Sequence, residues 1–308
     1  MTEAPPLIVI AGATATGKTE LAIRLAESVR TGARPVAIIS ADSRQVFRGL
    51  DVGTAKVSTA DQARVPHFGL DLVDPDQPFS VADFATHARS VLADLARDGW
   101  LAILAGGTGL YLRAVGRGLD TDALPSDPDV RARLEAALIA DGLPASVARL
   151  EDMAPALAAG VDARNPRRVV RALEIAELRG DGPPPPTLGY PGRIVWLGLT
   201  VDLPVHAERI MTRARAQFDA GLIEEARALR DRFDPGLPAF TAIGYREAWA
   251  VLDGELTRDA AIDLDAQRNV AFSKRQRTWF RSEPGITWLN ATEDLPTETA
   301  LELISPLL

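Results

Sequence analysis

The chain has 308 residues, a net charge of −8 and 46% hydrophobic residues, which is enough apolar content for one large core or two smaller ones. It lacks an apolar run of about 18 residues, so the sequence predicts no membrane-spanning helix. No signal peptide is recognisable and cysteine is absent, which excludes disulfides and cysteine-based zinc sites and indicates a cytoplasmic protein. The acidic total excludes a surface coated in positive charge but allows local basic clusters.

The first predicted strand, at 7–11, leads into a complete phosphate-binding loop. Residues 12–19 have the sequence GATATGKT, which fits GxxxxGK[ST], and helical periodicity begins at Lys18. In such a loop, backbone N–H groups and a helix N-terminus bind phosphates, the lysine neutralises their charge and the last hydroxyl holds Mg²⁺. Thr19 is the predicted Mg²⁺ ligand. The residues assigned to the phosphate chain are Gly12, Ala13, Thr14, Ala15, Thr16, Gly17, Lys18 and Thr19.

A second strand at 36–39 runs into a polar loop that begins at Ala41. Asp42 is expected beside the phosphate loop, because the carboxyl ends of parallel strands meet at one edge of a sheet. A carboxylate there can act as a general base or bind Mg²⁺ through water. The alternative interpretation is a turn residue whose side chain bonds its own backbone.

A helix at 81–98 precedes a third strand at 100–104, which ends in two glycines and Thr108. The glycines permit close approach of a ligand to the backbone, and Thr108 either contacts that ligand or caps the next helix. P-loop ATPases usually carry an aspartate at the end of such a strand to organise Mg²⁺ and water. Ala105 and Gly106 stand there instead, which argues against an ATP-hydrolysing motor.

The alternation of strands and helices predicts an α/β fold, with a P-loop kinase-like parallel sheet flanked by helices. Residues 119–191 lack strand patterns and end in a proline-rich segment, which predicts a helical insertion domain. The core is then 1–118 together with 192–308. Within it we expect strands at 194–199 and 286–289, separated by mostly helical sequence.

Two basic clusters stand out in this acidic chain. Arg164, Arg167, Arg168 and Arg171 lie within eight residues, and a helix beginning near Pro166 would place three of them on one face. The stretch 266–282 has five basic and no acidic residues, with aromatic residues interleaved. Such clusters are either solvated faces or phosphate contacts for a long polyanion.

The helix that begins near Pro204 carries Arg209 and Arg213 one turn apart. This pair either delivers a cation to the phosphates, as a lid does, or belongs to a solvated surface helix. His67, His87 and His206 have no metal-ligand spacing and receive no role.

Together these motifs resemble the tRNA dimethylallyltransferase family, also called isopentenyl-tRNA transferases, over nearly the whole chain. The segments that carry the resemblance are 12–19 (GATATGKT), 42–56 (DSRQVFRGLDVGTAK), 79–84 (FSVADF), 106–112 (GGTGLYL), 167–174 (RRVVRALE), 242–247 (AIGYRE) and 274–281 (KRQRTWFR). The blocks at 42–56 and 274–281 are together the most specific, whereas the phosphate loop is shared with many kinases.

The resemblance implies that dimethylallyl diphosphate donates its five-carbon group to the exocyclic amine of adenosine 37 in a tRNA, with diphosphate as the leaving group. The phosphate loop and Arg213 then bind diphosphate with Mg²⁺, and Asp42 and Thr108 are the catalytic residues. The adenosine is flipped into a channel, and the anticodon stem-loop is clamped by the insertion and the C-terminal helix. The implied tRNA-binding residues are Asp42, Ser43, Arg44, Gln45, Thr108, Arg167, Arg168, Arg171, Gly244, Tyr245, Arg246, Lys274, Arg275, Gln276 and Arg277.

The chain departs from the family pattern at Ala13, where proline is usual, and at Leu203, where arginine is common. Residues 269–271 (NVA) replace a usual Thr-Arg-Gln and remove one expected arginine. The sequence requires nothing beyond a monomer. Two other functions stay open: a P-loop kinase for a small molecule or nucleoside, with ATP in the loop, and a non-enzymatic RNA-binding module.

Overall fold

The computed structural model describes residues 4–29, 35–121, 123–183 and 187–308. The chain forms two compact units, Met1–Arg117 with Gly189–Leu308, and Gly118–Leu188. Most of the predicted proline-rich loop, residues 184–186, lies outside the described residues.

The first unit is built on one six-stranded sheet, and all its strand pairs are parallel. Every residue of the first, second and fourth strands is buried, which is typical of a parallel sheet covered on both faces. The strands are β1 Leu7–Gly12, β2 Val36–Ser40, β3 His67–Phe68, β4 Leu101–Gly106, β5 Ile194–Thr200 and β6 Thr287–Asn290. Their order across the sheet is β3-β2-β4-β1-β5-β6.

Side chains of β1 point alternately into two hydrophobic cores, one on each face of the sheet. Leu7 and Val9 belong to one core, and Ile8 and Ile10 to the other. The helices of this unit are α1 Lys18–Val29, α2 Thr59–Arg64, α3 Val81–Arg97, α4 Gly109–Gly116, α8 Leu203–Asp219, α9 Leu222–Arg230, α10 Tyr245–Leu252, α11 Arg258–Arg281 and α12 Thr297–Ile304. The predicted α/β class with a parallel P-loop sheet is confirmed.

The second unit contains α5 Pro128–Met153, α6 Pro155–Ala158 and α7 Pro166–Arg179 around a small apolar core of its own. Gly142 interrupts α5 with a φ of 82°, where a side chain would be strained. Glu174 of α7 is fully buried and accepts hydrogen bonds from Arg131 and Arg171. Burial alone would raise the pKa of Glu174, but these arginine contacts outweigh it and hold that pKa below its usual value.

Candidate active site at the phosphate loop

The phosphate loop, residues 12–19, connects β1 to α1 at the carboxyl edge of the sheet. Ala15 has a φ of 59°, which non-glycine residues rarely adopt. The Lys18 Nζ donates to the Ala13 carbonyl at 2.6 Å, so the ammonium is held against the loop. Burial and the charge of Arg213 lower the pKa of Lys18 to about 8, although Asp42 opposes the shift.

Thr14, in the middle of this loop, is bound by three side chains from two distant helices. Its N–H donates to the Gln276 Oε1 at 2.8 Å, and its carbonyl accepts from the His206 Nε2 at 2.8 Å. Its hydroxyl accepts from Arg213 at 2.7 Å. α8 and α11 therefore fix the conformation of the loop directly.

Arg213 is the arginine of α8 that reaches the phosphate loop. Burial lowers its pKa, whereas the carboxylates of Asp42 and Asp265 act in the opposite direction. Arg209, one turn earlier, instead donates to the carbonyls of Ala291 and Thr292. The lid interpretation of the arginine pair therefore has support only at Arg213.

Asp42 lies across from the phosphate loop, and its charge acts on both Lys18 and Arg213. Its Oδ1 accepts from the Arg44 N–H at 2.8 Å, which is the self-bonded turn that the sequence offered as the alternative interpretation. This bond also orients the carboxylate, so the turn and a catalytic role are compatible.

Thr108 joins the end of β4 to the polar loop after β2. Its Oγ1 accepts from the Ser43 N–H at 3.0 Å and makes no capping bond to α4, although Thr108 occupies the N-cap position. The two segments touch backbone to backbone, because a Cβ added to Gly106 would lie 2.1 Å from the Ala41 carbonyl oxygen. A glycine at position 106 is therefore required for the loop that carries Asp42 to pack this closely against the segment that carries Thr108.

Gln45 and Arg44 brace the polar loop. Gln45 accepts from Ser40 at 2.8 Å and donates to the Thr54 carbonyl at 3.2 Å. Arg44 donates to the Pro238 carbonyl at 2.9 Å. Gln45 therefore ties the polar loop to the turn at Thr54, and Arg44 ties it to Pro238.

Glu225 of α9 holds the turn at residues 51–53 by accepting from the N–H groups of Val52 and Gly53 at 2.7 and 3.1 Å. The hydroxyl of Tyr245 also donates to Glu225, at 2.8 Å. Tyr245 is fully buried, and a Cβ on Gly53 would lie 2.5 Å from its ring. The structure therefore gives the side chain of Tyr245, predicted to contact tRNA, a packing role in the core.

The residues of α11 that were predicted to contact tRNA differ in how far they are exposed. Lys274 and Arg275 are exposed and Arg277 is half-buried, whereas Gln276 is 7% exposed and donates to the Gly107 carbonyl at 2.9 Å. Gln276 thus links the phosphate loop to the end of β4 instead of facing outward. Arg246 of α10 is exposed, and the preceding Gly244 is buried with a φ of 110°.

In the helical unit, Arg167 and Arg168 are exposed near the start of α7. Arg171 bonds to Glu174 at 2.7 Å and to the carbonyls of Leu124 and Pro125. Arg164 precedes the helix and pairs with Asp162, so it does not share a helix face with the others. The structure thus gives Arg171 a role in packing this unit.

Sequence reasoning missed His206, which is only 2% exposed and bonds the phosphate loop. A signal was present, since His206 and Arg213 are seven residues apart and therefore lie on one face of α8. It also missed Glu247, a buried carboxylate of α10 that accepts from Gly244 and pairs with Arg268.

The site combines a loop built for phosphates, two partly buried cations and one facing carboxylate. Among the described residues, no group of three or more histidine, aspartate or glutamate side chains is arranged to hold a metal ion. Within the described part of the chain, no helix is long and apolar enough to cross a membrane. The fold and site therefore define an α/β P-loop protein whose phosphate-loop sequence lies at the carboxyl edge of a parallel sheet.

The IPP transferase family model matches residues 45–283, which is more than half of the chain. A tRNA dimethylallyltransferase of Roseiflexus sp. (strain RS-1) is 41% identical over 305 residues, covering 96% of each chain. That of Anaeromyxobacter dehalogenans (strain 2CP-C) is 44% identical over 292 residues, covering 92% of this chain and 94% of the relative. The chain belongs to the IPP transferase family.

Solved structures of tRNA isopentenylpyrophosphate transferases also match this chain. The crystal structure of the full-length tRNA isopentenylpyrophosphate transferase from Bacillus halodurans matches with a TM-score of 0.70 and 36% identity. It covers 98% of this chain and 95% of its own. A tRNA isopentenylpyrophosphate transferase structure from Staphylococcus epidermidis matches with a TM-score of 0.68 and 29% identity, over 98% of each chain.

Proposed function

We propose that this chain transfers a dimethylallyl group from dimethylallyl diphosphate to the exocyclic amine of adenosine 37 of tRNA and releases diphosphate. The observation that carries the proposal is the placement of Asp42 opposite Lys18 and Arg213, where a base faces two cations of a phosphate loop. The names of the relatives, tRNA dimethylallyltransferases, support the same reaction.

The phosphates in the loop are the leaving group in this reaction. The amine nitrogen attacks the first carbon of the allyl group, the bond from that carbon to the diphosphate oxygen breaks, and the diphosphate keeps the electron pair. Lys18, Arg213 and the N–H groups of the loop stabilise the charge that develops on the diphosphate. The proton of the amine passes to the carboxylate of Asp42.

Mg²⁺ fits this site as a metal held mainly by its substrate. Thr19 is exposed at the first turn of α1, and the described residues offer no carboxylate cluster. Mg²⁺ usually keeps several waters and binds through substrate phosphates, so one hydroxyl of the protein is sufficient. Thr19 would hold the ion, which neutralises charge on the leaving diphosphate.

Thr108, fixed by the Ser43 N–H, lies on the same side of the site as Asp42 and is proposed to contact the adenosine. Ser43, Arg44 and Gln45 are proposed to line the channel that receives the flipped base. The exposed cations of α11 and of the helical unit, among them Arg275 and Arg167, supply phosphate contacts for the anticodon stem-loop. We further propose that the enzyme acts as a cytoplasmic monomer.

The test is transfer of label from radiolabelled dimethylallyl diphosphate to a tRNA with adenosines at positions 36 and 37. The expected result is label in adenosine 37 and release of one diphosphate for each group transferred. A matched tRNA with guanosine at position 37 should remain unlabelled. Failure to label the first tRNA, in a mixture where a second family member labels it, would overturn the proposal.

A further inference from the structure

His206 is the least exposed titratable side chain that touches the phosphate loop, and the reaction as described makes no use of it. It is 2% exposed, and its Nε2 donates to the Thr14 carbonyl at 2.8 Å. The bond fixes the tautomer, because a carbonyl only accepts, so Nε2 must carry a proton. Its partner is the residue that Gln276 and Arg213 also bind.

Cations on three helices act on this imidazole, whereas β5 and β6 contribute only Leu199, Thr200 and Trp288 to the cavity beside it. Lys18 lies at the start of α1, Arg209 on the same helix as His206, and Arg277 on α11. Burial, together with these charges, lowers the pKa of His206, although the bond to Thr14 opposes the shift. In the free protein, His206 is therefore neutral at physiological pH.

A cavity of about 270 Å³ is lined by His206 together with Ala13 and Thr16 of the phosphate loop. His206, Arg277 and Arg281 line it together with apolar side chains such as Trp288, and none of its described lining residues is acidic. The cavity gives water, and hence protons, access to a ring that is otherwise enclosed.

We propose that His206 is a positioning residue of the phosphate loop and that it takes up a proton when diphosphate enters the loop. The inference rests on the proposed function of the loop. The imidazole holds the carbonyl of Thr14 in either protonation state, because Nε2 keeps its proton in both. Bound diphosphate changes the local field, since its negative charges compensate Lys18 and the neighbouring arginines, which together with burial keep the free ring neutral.

The proton uptake has a defined consequence for affinity. A ligand that raises the pKa of a group binds more tightly as the pH falls toward that raised pKa. Each pKa unit by which diphosphate shifts His206 strengthens binding about tenfold at low pH relative to high pH. The bond to Thr14 alone predicts a dependence on the donor group but not on pH.

The experiment is calorimetric titration of the full chain with inorganic diphosphate, at about pH 6.5 and about pH 8, in buffers of different ionisation enthalpy. The variants are His206→Gln, which keeps a donor for Thr14 but cannot titrate, and His206→Leu, which lacks the donor. His87→Gln, on α3, is the matched control. Protons taken up by diphosphate itself and by Lys18 are common to all variants and cancel in the comparison.

We expect the wild type and His87→Gln to take up more protons at low pH than His206→Gln does. His206→Gln should bind as tightly as the wild type at about pH 8 but lose the tightening at low pH, whereas His206→Leu should bind more weakly at both. Equal proton uptake in the wild type and His206→Gln would overturn the inference while leaving the diphosphate site intact. Absence of diphosphate binding to the wild type would overturn the proposed role of the loop, and the inference with it.

Discussion

The Oε1 of Gln276 accepts a hydrogen bond from the backbone N–H of Thr14 at 2.8 Å, although 262 residues separate them in the chain. The other end of the same amide donates to the Gly107 carbonyl at 2.9 Å. One side chain of α11 therefore joins the phosphate loop to the strand end that carries Thr108. The helix that presents Arg275 outward is thus in direct contact with the phosphate loop.

Gln276→Ala should impair the loop more than the RNA surface. It leaves the Thr14 N–H and the Gly107 carbonyl without this partner, and an unmade buried hydrogen bond costs about 1–3 kcal/mol. We expect weaker diphosphate binding and slower transfer, with little change in tRNA affinity, measured by calorimetry and by a filter-binding assay. Arg275→Ala, the exposed neighbour, should show the reverse pattern. Identical effects of the two substitutions would contradict the assignment of Gln276 to the loop.

Asp42→Asn should abolish most of the transfer while sparing donor binding. Asparagine retains an oxygen for the Arg44 N–H but cannot accept the amine proton, so transfer should slow by about 10²–10⁴-fold. Diphosphate affinity should stay equal or increase, because a negative charge that acts on Lys18 and Arg213 is removed. Single-turnover rates and diphosphate titrations separate the two effects. A variant that turns over like the wild type would exclude Asp42 as the base.

Arg167 and Arg171, close in sequence, should behave differently. Arg167→Ala should weaken tRNA binding and lower the slope of log affinity against log salt by about one, without affecting stability, since Arg167 is exposed. Arg171→Ala removes a partner of the fully buried Glu174 and two carbonyl contacts, which should cost about 1–3 kcal/mol of stability. Denaturant unfolding and salt-dependent tRNA binding measure both. A reduced salt slope for Arg171→Ala with unchanged unfolding would show that this arginine binds RNA after all.

Asp265→Asn should stabilise the protein at neutral pH. Asp265 is 1% exposed, its Oδ2 has no hydrogen-bond partner among the described residues, and burial raises its pKa to about 6. A carboxyl with a raised pKa contributes stability below its unfolded pKa of about 3.9, and this contribution is lost as the pH rises through 6. Between about pH 4 and pH 7, the free energy of unfolding of the variant should therefore increasingly exceed that of the wild type, by at most about 3 kcal/mol.

The measurement for Asp265 is denaturant unfolding across that pH range, with exposed Asp263→Asn on the same helix as the control. Because the carboxylate of Asp265 acts on Arg213 in the same direction as that of Asp42, its removal should leave diphosphate affinity equal or slightly higher. If the free energies of unfolding of the wild type and Asp265→Asn changed in parallel with pH, this would contradict a buried Asp265 carboxyl with a raised pKa.

The strands that position the site were predictable because local patterns determine them. Apolar runs in β1, β2 and β4 are fully buried, and the loop pattern lies between β1 and α1 as predicted. Asp42 and Thr108 were predicted at the same edge because parallel strands present their carboxyl ends together. The two-residue β3 and the terminal α12 were missed, since such short elements have too little periodicity of their own.

The inward faces of the C-terminal helices were not predictable from the sequence. Gln276 and Tyr245 lie in segments that resemble an RNA-binding surface, yet both are buried and bond other parts of the core. Which residues of a basic helix point inward depends on tertiary packing. The apolar pattern of α11 is weak because its seven buried positions include polar side chains. His206 was missed for the same reason, because its partner is a backbone carbonyl 192 residues away.

The central proposal is that Asp42 accepts the proton of the attacking amine while the phosphate loop stabilises the diphosphate that leaves. Nucleoside analysis of tRNA after a single turnover, together with measurement of released diphosphate, tests it most directly when wild type, Asp42→Asn and Lys18→Ala are compared. We predict dimethylallyl-adenosine at position 37 with one diphosphate for each modification in the wild type, and loss of both products in the two variants. Unmodified adenosine 37 with the wild type, or diphosphate released by Asp42→Asn at the wild-type rate, would contradict the account.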